Sequence, residues 1–65
     1  MKREALIQYR GERLQEDMAK QYHVTQQTWS AWELGITTPS APVMKKMEID
    51  SGVPMEKLFF DVFDK

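Results

Sequence analysis

Residues 24–35 read VTQQTWSAWELG, and this stretch decides the fold. Thr25 is a good N-cap, because its hydroxyl can accept a hydrogen bond from a backbone N–H in the first turn of a helix. Trp29 and Trp32 lie three residues apart and share one face of that helix, which we expect to be buried in the core. Gly35 is the expected end of the helix. The stretch therefore predicts a helix with an aromatic inner face and a polar outer edge.

A second helical pattern, QEDMAKQY, precedes this stretch at residues 15–22. Gln15, Glu16 and Asp17 place hydrogen-bond acceptors and negative charges in its first turn, where they interact favourably with the positive end of the helix dipole. Met18, Ala19 and Tyr22 recur at helical spacing and predict its buried face. Because only residues 23–25 separate the two helices, the chain must turn sharply between them, which is the geometry of a helix-turn-helix.

Three further helices are predicted outside this pair. Residues 3–10 form the first, with Gly11 as its C-cap, since glycine accepts the left-handed conformation there without steric cost. Ser40 is expected to N-cap a fourth helix that ends at Gly52, and Pro54 opens a short fifth helix. The sequence thus predicts an all-α fold of five short helices.

The bulk composition limits the classes of protein to which this chain can belong. Its 65 residues suffice for one domain, residues 1–65. The absence of cysteine excludes disulfides and thiolate metal sites, and the single histidine, His23, cannot hold a metal ion alone. No run approaches the ~20 apolar residues that span a bilayer, and the charged N-terminus lacks the apolar core of a signal peptide. We therefore expect a cytoplasmic protein with no metal, no cofactor and no membrane partner.

Catalytic arrangements are also missing from the sequence. The three glycines lie at predicted helix ends, so they form no glycine-rich phosphate loop. Neighbouring acids such as Glu16 and Asp17, or Asp61 and Asp64, have no pocket implied around them. We therefore expect neither an enzyme nor a small-molecule substrate. A net charge of −1 argues further against non-specific binding to polyanions.

The outer edge of the third predicted helix carries two adjacent glutamines, Gln26 and Gln27. A glutamine amide offers a donor and an acceptor that match N7 and N6 of adenine, and Thr25 and Ala31 offer small apolar groups to a thymine methyl. Gln15, at a helix N-terminus, is suited to a DNA phosphate. The alternative is an ordinary solvated helix surface, because glutamine is a fair helix former. The position of the pair beside a sharp turn favours base recognition.

Taken together, QEDMAKQYHVTQQTWSAWELG resembles the helix-turn-helix core of the Cro/phage-repressor (XRE-type) family. PSAPVMKKM and GVPMEKLF resemble the fourth and fifth helices of that family, so the resemblance covers residues 5–60. It implies a five-helix, lambda-repressor-like domain. Helices 2 and 3 of this domain form the helix-turn-helix, residues 15–34, and residues 59–65 form a short tail. It also implies a sequence-specific transcriptional regulator, a repressor from a phage or other mobile element, that reads the major groove of operator DNA with helix 3.

The resemblance further implies roles for individual residues. Base contacts are implied for the residues that begin helix 3, namely Thr25, Gln26, Gln27, Ser30 and Ala31. Phosphate contacts are expected from polar and basic residues around the turn, namely Gln15, Thr28, Arg13 and Lys20. Lys45 and Lys46 are further phosphate candidates, and for each of these cations an ordinary solvated side chain is the alternative. Arg10 and Glu33 resemble an ion pair that ties helix 1 to helix 3, with two independent surface charges as the alternative.

Three of the departures from the family pattern lie in the helix-turn-helix and the loop after it. His23 stands where glycine is usual in the turn, and a positive φ at this position would strain a histidine by about 1 kcal/mol. Leu14 stands where a serine or threonine usually caps helix 2. Ile36, Thr37 and Thr38 replace a basic loop, which removes expected phosphate partners and predicts a shallow salt dependence of DNA binding.

The aromatic tail is the last informative segment. Phe59 is expected in the core, but Phe60, Val62 and Phe63 follow it so closely that one small bundle cannot bury them all. They either fold back over helices 1 and 5 or form a protein contact. We expect a homodimer, which would place two reading helices on half-sites about 34 Å apart. The competing function is a protein-interaction module on the same fold, such as an antirepressor or antitoxin-like adaptor, which the acidic balance and this tail favour.

Overall fold

The computed structural model describes residues 1–63, so Asp64 and Lys65, the end of the predicted tail, lie outside the described residues. Residues 1–63 form six helices and no strand. In chain order these helices are α1 (Glu4–Arg10), α2 (Gln15–Gln21), α3 (Gln26–Glu33), α4 (Ala41–Ser51), α5 (Met55–Leu58) and α6 (Phe60–Phe63). The predicted all-α fold class is confirmed. None of the helices in this part of the chain has the length and apolar character that a bilayer span requires.

The helix boundaries differ from the prediction at three places. α1 begins at Glu4, because Arg3 is the N-cap residue and its backbone is not helical. α2 ends at Gln21, one residue early, since Tyr22 has φ −105° and ψ 10°. The tail contains α6, a sixth helix that the five-helix prediction missed. Phe59, with φ −125° and ψ 49°, interrupts the helical backbone for one residue and so separates α6 from α5.

The two tryptophans of α3 lie in the core, as predicted. Trp29 has no exposed surface, its ring stacks on that of Tyr22 at 5.7 Å between centroids, and it meets Trp32 edge to face at 5.8 Å. Ala19 is buried where α2 and α3 pack together, and a larger side chain there would hold these helices apart. α1 packs against α3 and α5, while α4 and α6 pack against α5. The other buried apolar residues are Leu6, Met18, Met44, Met47, Leu58 and Phe59.

The turn between α2 and α3 is closed by the backbone. Val24 N donates a hydrogen bond to Ala19 O at 2.9 Å. His23 has φ 59°, and it is the one non-glycine residue with positive φ between residues 1 and 63. This conformation costs about 1 kcal/mol relative to glycine. α3 follows directly, because Thr25 Oγ1 accepts a hydrogen bond from Thr28 N at 3.1 Å, which confirms the predicted N-cap.

The remaining helix ends are fixed by a mixture of predicted and unpredicted contacts. Ser40 is the N-cap residue of α4, as predicted, although its side chain makes no capping hydrogen bond. Leu14, as expected, gives α2 no side-chain cap. Gly52 ends α4 in the left-handed conformation, and Glu48 Oε2 accepts a hydrogen bond from Met55 N at 2.8 Å. Glu48 thereby holds the start of α5 against the end of α4.

Candidate nucleic-acid interface

Glu33, the last residue of α3, joins the first three helices. Its carboxylate accepts hydrogen bonds from Arg10 Nε at 2.6 Å, Gln15 Nε2 at 2.9 Å and Trp29 Nε1 at 2.6 Å. The side chain of Glu33 is 4% exposed and that of Arg10 is 23% exposed, so the two residues form a partly buried salt bridge. Because the donors come from α1, α2 and α3, these contacts fix the angle at which α3 leaves the turn.

The carboxyl group of Glu33 stays ionised despite its burial. Burial raises its pKa, but the hydrogen bonds from Arg10, Gln15 and Trp29 and the positive charge of Arg10 outweigh burial. The pKa of Glu33 therefore lies below its ordinary value of 4.5. Hydrogen bonds to a charged acceptor are stronger than neutral ones, so this side of α3 is held firmly.

A second buried charge, Arg3, holds the other side of the α3 C-terminus. Its side chain is 1% exposed, and its Nε and Nη2 each donate to Asp61 of α6 at 2.9 Å. Nη1 donates to the carbonyl oxygens of Trp32 at 2.9 Å and Thr37 at 2.7 Å, and Nη2 donates to Thr38 Oγ1 at 2.9 Å. We call these five residues the Arg3 clasp. The clasp fixes the end of α3 and the loop after it, and the guanidinium holds the pKa of Asp61 below its usual range.

Sequence reasoning missed the Arg3 clasp. It treated Arg3 as the first residue of a helix and Asp61 as one of several acids near the C-terminus. The two residues are 58 positions apart, and no local pattern distinguishes a buried arginine from a solvated one. The Arg3 guanidinium also lies 5.2 Å from the centroid of the buried Phe59 ring, so the expected burial of Phe59 is confirmed and serves the clasp.

α3, which is held by the contacts of Glu33 and by the Arg3 clasp, exposes one edge to solvent. Thr25, Gln26 and Gln27 are exposed, and Ser30 and Ala31 are half-buried. We call these five residues, which are those predicted to contact bases, the α3 edge. Four of them, Gln26, Gln27, Ser30 and Ala31, line one surface depression, and Thr25 is the N-cap residue of the same helix. The two tryptophans occupy the opposite, inner face of the helix.

The α3 edge borders an open depression in the protein surface. Its lining residues are Gln15, Gln26, Gln27, Ser30, Ala31, Leu34 and Ile36. None of these side chains carries a charge, so this neutral depression, as we call it, offers amide and hydroxyl groups beside apolar surface. Sequence reasoning missed Leu34 and Ile36. The spacing of Gln27, Ala31 and Leu34 at i, i+4 and i+7 is the signal that could have indicated Leu34.

A sequence model of the helix-turn-helix family matches residues 6–58 of the chain. The protein belongs to the helix-turn-helix family. The resemblance to its Cro/phage-repressor (XRE) type is thereby confirmed. This family consists of DNA-binding regulatory domains and not of enzymes, so the chain is a DNA-binding helix-turn-helix regulator. No curated protein and no solved structure matches the chain.

Two residues predicted to contact phosphate lie beside the α3 edge of this helix-turn-helix domain. Gln15 is half-buried and donates one amide hydrogen to Glu33, which leaves its second amide hydrogen for another acceptor. Thr28 is half-buried, and its hydroxyl lies 3.0 Å from that of Thr25. The two threonine hydroxyls therefore share a hydrogen bond in the first turn of α3.

The two basic residues predicted to contact phosphate differ in their surroundings. Lys20 is exposed near the end of α2. Arg13 donates from Nε to Arg10 O at 3.1 Å and from Nη2 to Tyr9 O, and its guanidinium lies 5.1 Å from the centroid of the Tyr9 ring. Arg13 is thus folded back on the end of α1, so it must leave these carbonyls to reach a phosphate.

The lysines of the helix-turn-helix domain's fourth helix are paired with acids. Lys45 Nζ lies 2.7 Å from Glu48 Oε1, and Lys46 Nζ lies 2.9 Å from Asp50 Oδ2. These lysines hold the pKa of both carboxyl groups below the ordinary range. Over the described residues 1–63, no group of three or more histidine and acidic side chains is placed to hold a metal ion.

The candidate dimer residues of the tail are divided between surface and core. Phe60 and Phe63 are each 40% exposed, whereas Val62 is half-buried and packs against the core. Asp61, between them, belongs to the Arg3 clasp. Part of the tail therefore folds back over the domain, and two phenylalanines remain at its surface.

Proposed function

We propose that this helix-turn-helix protein is a sequence-specific transcriptional repressor that reads the major groove of its operator with α3. The observation that carries this proposal is the exposure of Gln26 and Gln27 in the first turn of α3, while Trp29 and Glu33 anchor the opposite side of the same helix. The residues assigned to base contacts are those of the α3 edge, Thr25, Gln26, Gln27, Ser30 and Ala31. Occupancy of the operator would block RNA polymerase.

Each residue type on the α3 edge has a chemical match among the base edges. A glutamine amide donates to N7 of adenine and accepts from N6, and one such bidentate pair contributes about 1–3 kcal/mol of discrimination. The hydroxyl of Ser30 can donate or accept. Because Thr25 Oγ1 already accepts the capping hydrogen bond, its methyl group is the part that remains for a base contact.

We assign the phosphate contacts to Gln15, Thr28, Arg13 and Lys20. Only Arg13 and Lys20 of these carry a positive charge, so at most two cations per protomer displace counterions from DNA. The logarithm of the binding constant should therefore fall against the logarithm of salt concentration with a slope of about −2 per protomer.

We also assign a homodimer contact to α6, through Phe60, Val62 and Phe63. The exposure of the two phenylalanines supports this assignment, because large apolar side chains at a surface mark contact sites. A dimer would present two α3 edges to two half-sites about one DNA turn apart, so the binding free energies of two weakly binding helices would add.

The experiment begins with selection of bound duplexes from a random pool, followed by fluorescence anisotropy at about 50 mM salt with an enriched duplex and a scrambled one. The tested variant is Gln26→Ala/Gln27→Ala, and the matched control is Gln8→Ala, since Gln8 is exposed on α1. We expect the double variant to lose specific binding and the control to keep it. Equal binding of the wild type and the double variant to both duplexes would contradict the proposal.

A protein-interaction module on the same fold is the second candidate. It is favoured by the exposed Phe60 and Phe63 and by the net charge of −1. A stoichiometric complex with another protein that survives Gln26→Ala/Gln27→Ala and is abolished by Phe60→Ser/Phe63→Ser, together with no enriched duplex, would support this candidate over the repressor.

A further inference from the structure

The neutral depression has an apolar side that the proposed base contacts do not explain. Ile36 is 71% exposed and Leu34 is 40% exposed, and both line the depression together with Ala31. Neither Leu34 nor Ile36 belongs to the core of the domain. Contiguous apolar side chains at the surface of a small domain are typical of an interaction site.

The loop that carries Ile36 is fixed by its backbone. Leu34 N donates to Ser30 O at 3.0 Å, and Ile36 N donates to Ala31 O at 2.9 Å, which folds the chain back onto α3. Gly35, between them, has φ 73°, and a Cβ at this position would lie 2.6 Å from Met1 O. The loop therefore presents Ile36 beside Ala31 in a defined position.

The Arg3 clasp also holds this loop, because Arg3 Nη1 donates to the carbonyl oxygens of Trp32 and Thr37, which lie on either side of it. The clasp therefore holds both ends of the segment 32–37, and the two backbone hydrogen bonds hold Leu34 and Ile36 within it. A preorganised apolar surface of this kind loses little conformational entropy when it is covered.

The chemistry of the neutral depression selects one kind of occupant. Gln15 is the one lining residue assigned to a phosphate, and no charged residue lines the depression, so the apolar side formed by Ala31, Leu34 and Ile36 is poorly suited to a phosphate. Amide groups and an apolar surface side by side match a base edge in the major groove, where the apolar group is the C5-methyl of thymine. The apolar side also adjoins Gln26 and Gln27, so both would face the same few base pairs.

We infer that Ala31, Leu34 and Ile36 form a binding site for thymine methyl groups next to the bases read by the glutamines, and that Leu34 and Ile36 are specificity-determining residues. This inference rests on the proposed function. The protein discriminates thymine from cytosine at these positions, because cytosine lacks the methyl group and presents an N4 donor to an apolar surface.

The test uses the duplex enriched in the selection experiment, synthesised with thymine or with uracil at one position at a time. Replacing the contacted thymine by uracil removes only the methyl group, and we expect wild-type affinity to fall about fourfold at that position. Ile36→Ser should bind the thymine duplex about as weakly as wild type binds the uracil duplex, and its preference for thymine should vanish. Leu34→Ser is measured in the same way as a second variant.

Ile49 provides a matched control for Ile36. It is the same residue type and is also 71% exposed, but it lies on α4 and does not line the neutral depression. Ile49→Ser should keep the full thymine preference. Because both isoleucines are exposed, both variants should melt at the wild-type temperature.

The outcomes separate this inference from the function on which it rests. An enriched duplex that wild type binds equally with thymine and uracil at every position would overturn the inference and leave the proposed function standing. The same holds if Ile36→Ser and Leu34→Ser both keep the wild-type thymine preference. A selection that enriches no duplex would overturn the proposed function and the inference together.

Discussion

The inner and outer sides of α3 differ in what their polar groups contact. On the inner side, Glu33 accepts hydrogen bonds from three helices, and the Arg3 clasp surrounds the helix end with charged and backbone groups. On the outer side, the α3 edge exposes amides and hydroxyls, and the neutral depression beside it has no charged lining residue. Charge therefore fixes the helix, while neutral groups face outward. Except at Thr25, which caps α3 and also belongs to the α3 edge, we therefore expect stability and recognition to depend on different residues.

This division gives a physical meaning to the small net charge of −1. Two of the lysines are paired with Glu48 and Asp50, and Arg3 and Arg10 are committed to contacts inside the fold. We therefore expect attraction to phosphates to contribute little to DNA affinity and base contacts to contribute a larger share. Variants of the inner side should change the free energy of unfolding. Variants of the outer side should change DNA binding alone, except at Thr25, which also caps α3.

The largest expected effect is that of Arg3→Ala on stability. The variant leaves the Asp61 carboxylate without its partner and removes buried packing, so the free energy of unfolding should fall by about 4 kcal/mol. Arg3→Lys keeps the positive charge but loses the planar guanidinium that donates several hydrogen bonds at once. Its free energy of unfolding should lie between those of Arg3→Ala and the wild type. Urea unfolding followed by tryptophan fluorescence measures the change. The neighbouring Lys2, which is exposed, supplies the control Lys2→Ala, and an equal loss in both variants would contradict the role of the clasp.

Glu33→Gln should have the next largest effect. The amide cannot form the ion pair with Arg10, and the loss of free energy of unfolding should be about 2 kcal/mol, since Arg10 keeps some access to water. Glu12→Gln, at an exposed position, is the matched control and should change stability by less than about 0.5 kcal/mol. Thermal and urea unfolding of both variants give the comparison, and no difference between them would mean that Glu33 does not anchor α3.

Thr25→Ala should cost about 1 kcal/mol of stability, because Thr28 N loses its capping acceptor. Thr25→Ser restores the hydroxyl and should recover most of that loss, but it lacks the methyl group assigned to DNA. Urea unfolding and anisotropy measured on both variants therefore separate the cap from the base contact. If the serine variant is as unstable as the alanine variant, the hydroxyl does not act as the cap.

The smallest expected effect is the dependence of stability on acid pH. The pKa values of Glu33 and Asp61 lie below 4.5 and 3.8, their ordinary values, so folding favours the ionised forms. This contribution is present above the pKa of the unfolded chain and is lost as the pH falls through the folded pKa. The free energy of unfolding should stay level from about pH 7 to 5 and decline below about pH 4.5. Salt at about 0.2 M screens the exposed ion pairs of Glu48 and Asp50 during this measurement. If the free energy of unfolding of Glu33→Gln declines in acid as that of the wild type does, the assignment to Glu33 is contradicted.

Much of the fold could be predicted because its signals are local. The Thr25 cap, the spacing of Trp29 and Trp32 and the short turn at His23 each depend on a few neighbouring residues. The Arg3 clasp could not be predicted, since it joins residues 58 positions apart through a side chain that is usually solvated. α6 was missed because a one-turn helix has too few residues to show a period.

The candidate site was predicted less completely than the fold. The α3 edge follows from its position after the turn and from the chemistry of glutamine. Leu34 and Ile36 were read as a helix end and a loop, since only the backbone hydrogen bonds from Leu34 and Ile36 to Ser30 and Ala31 bring them beside the glutamines. Loop side chains of this kind depend on how the chain folds back, which no spacing rule encodes.

The most direct test of the central claim, that the neutral outer side of α3 recognises DNA, is an NMR titration of the labelled protein with the enriched duplex. The side-chain amide signals of Gln26 and Gln27 should move most, and those of Gln8 on α1 should stay in place. Large shifts confined to Phe60 and Phe63, with the signals of both α3 glutamines unmoved, would contradict the account and direct attention to a contact through α6.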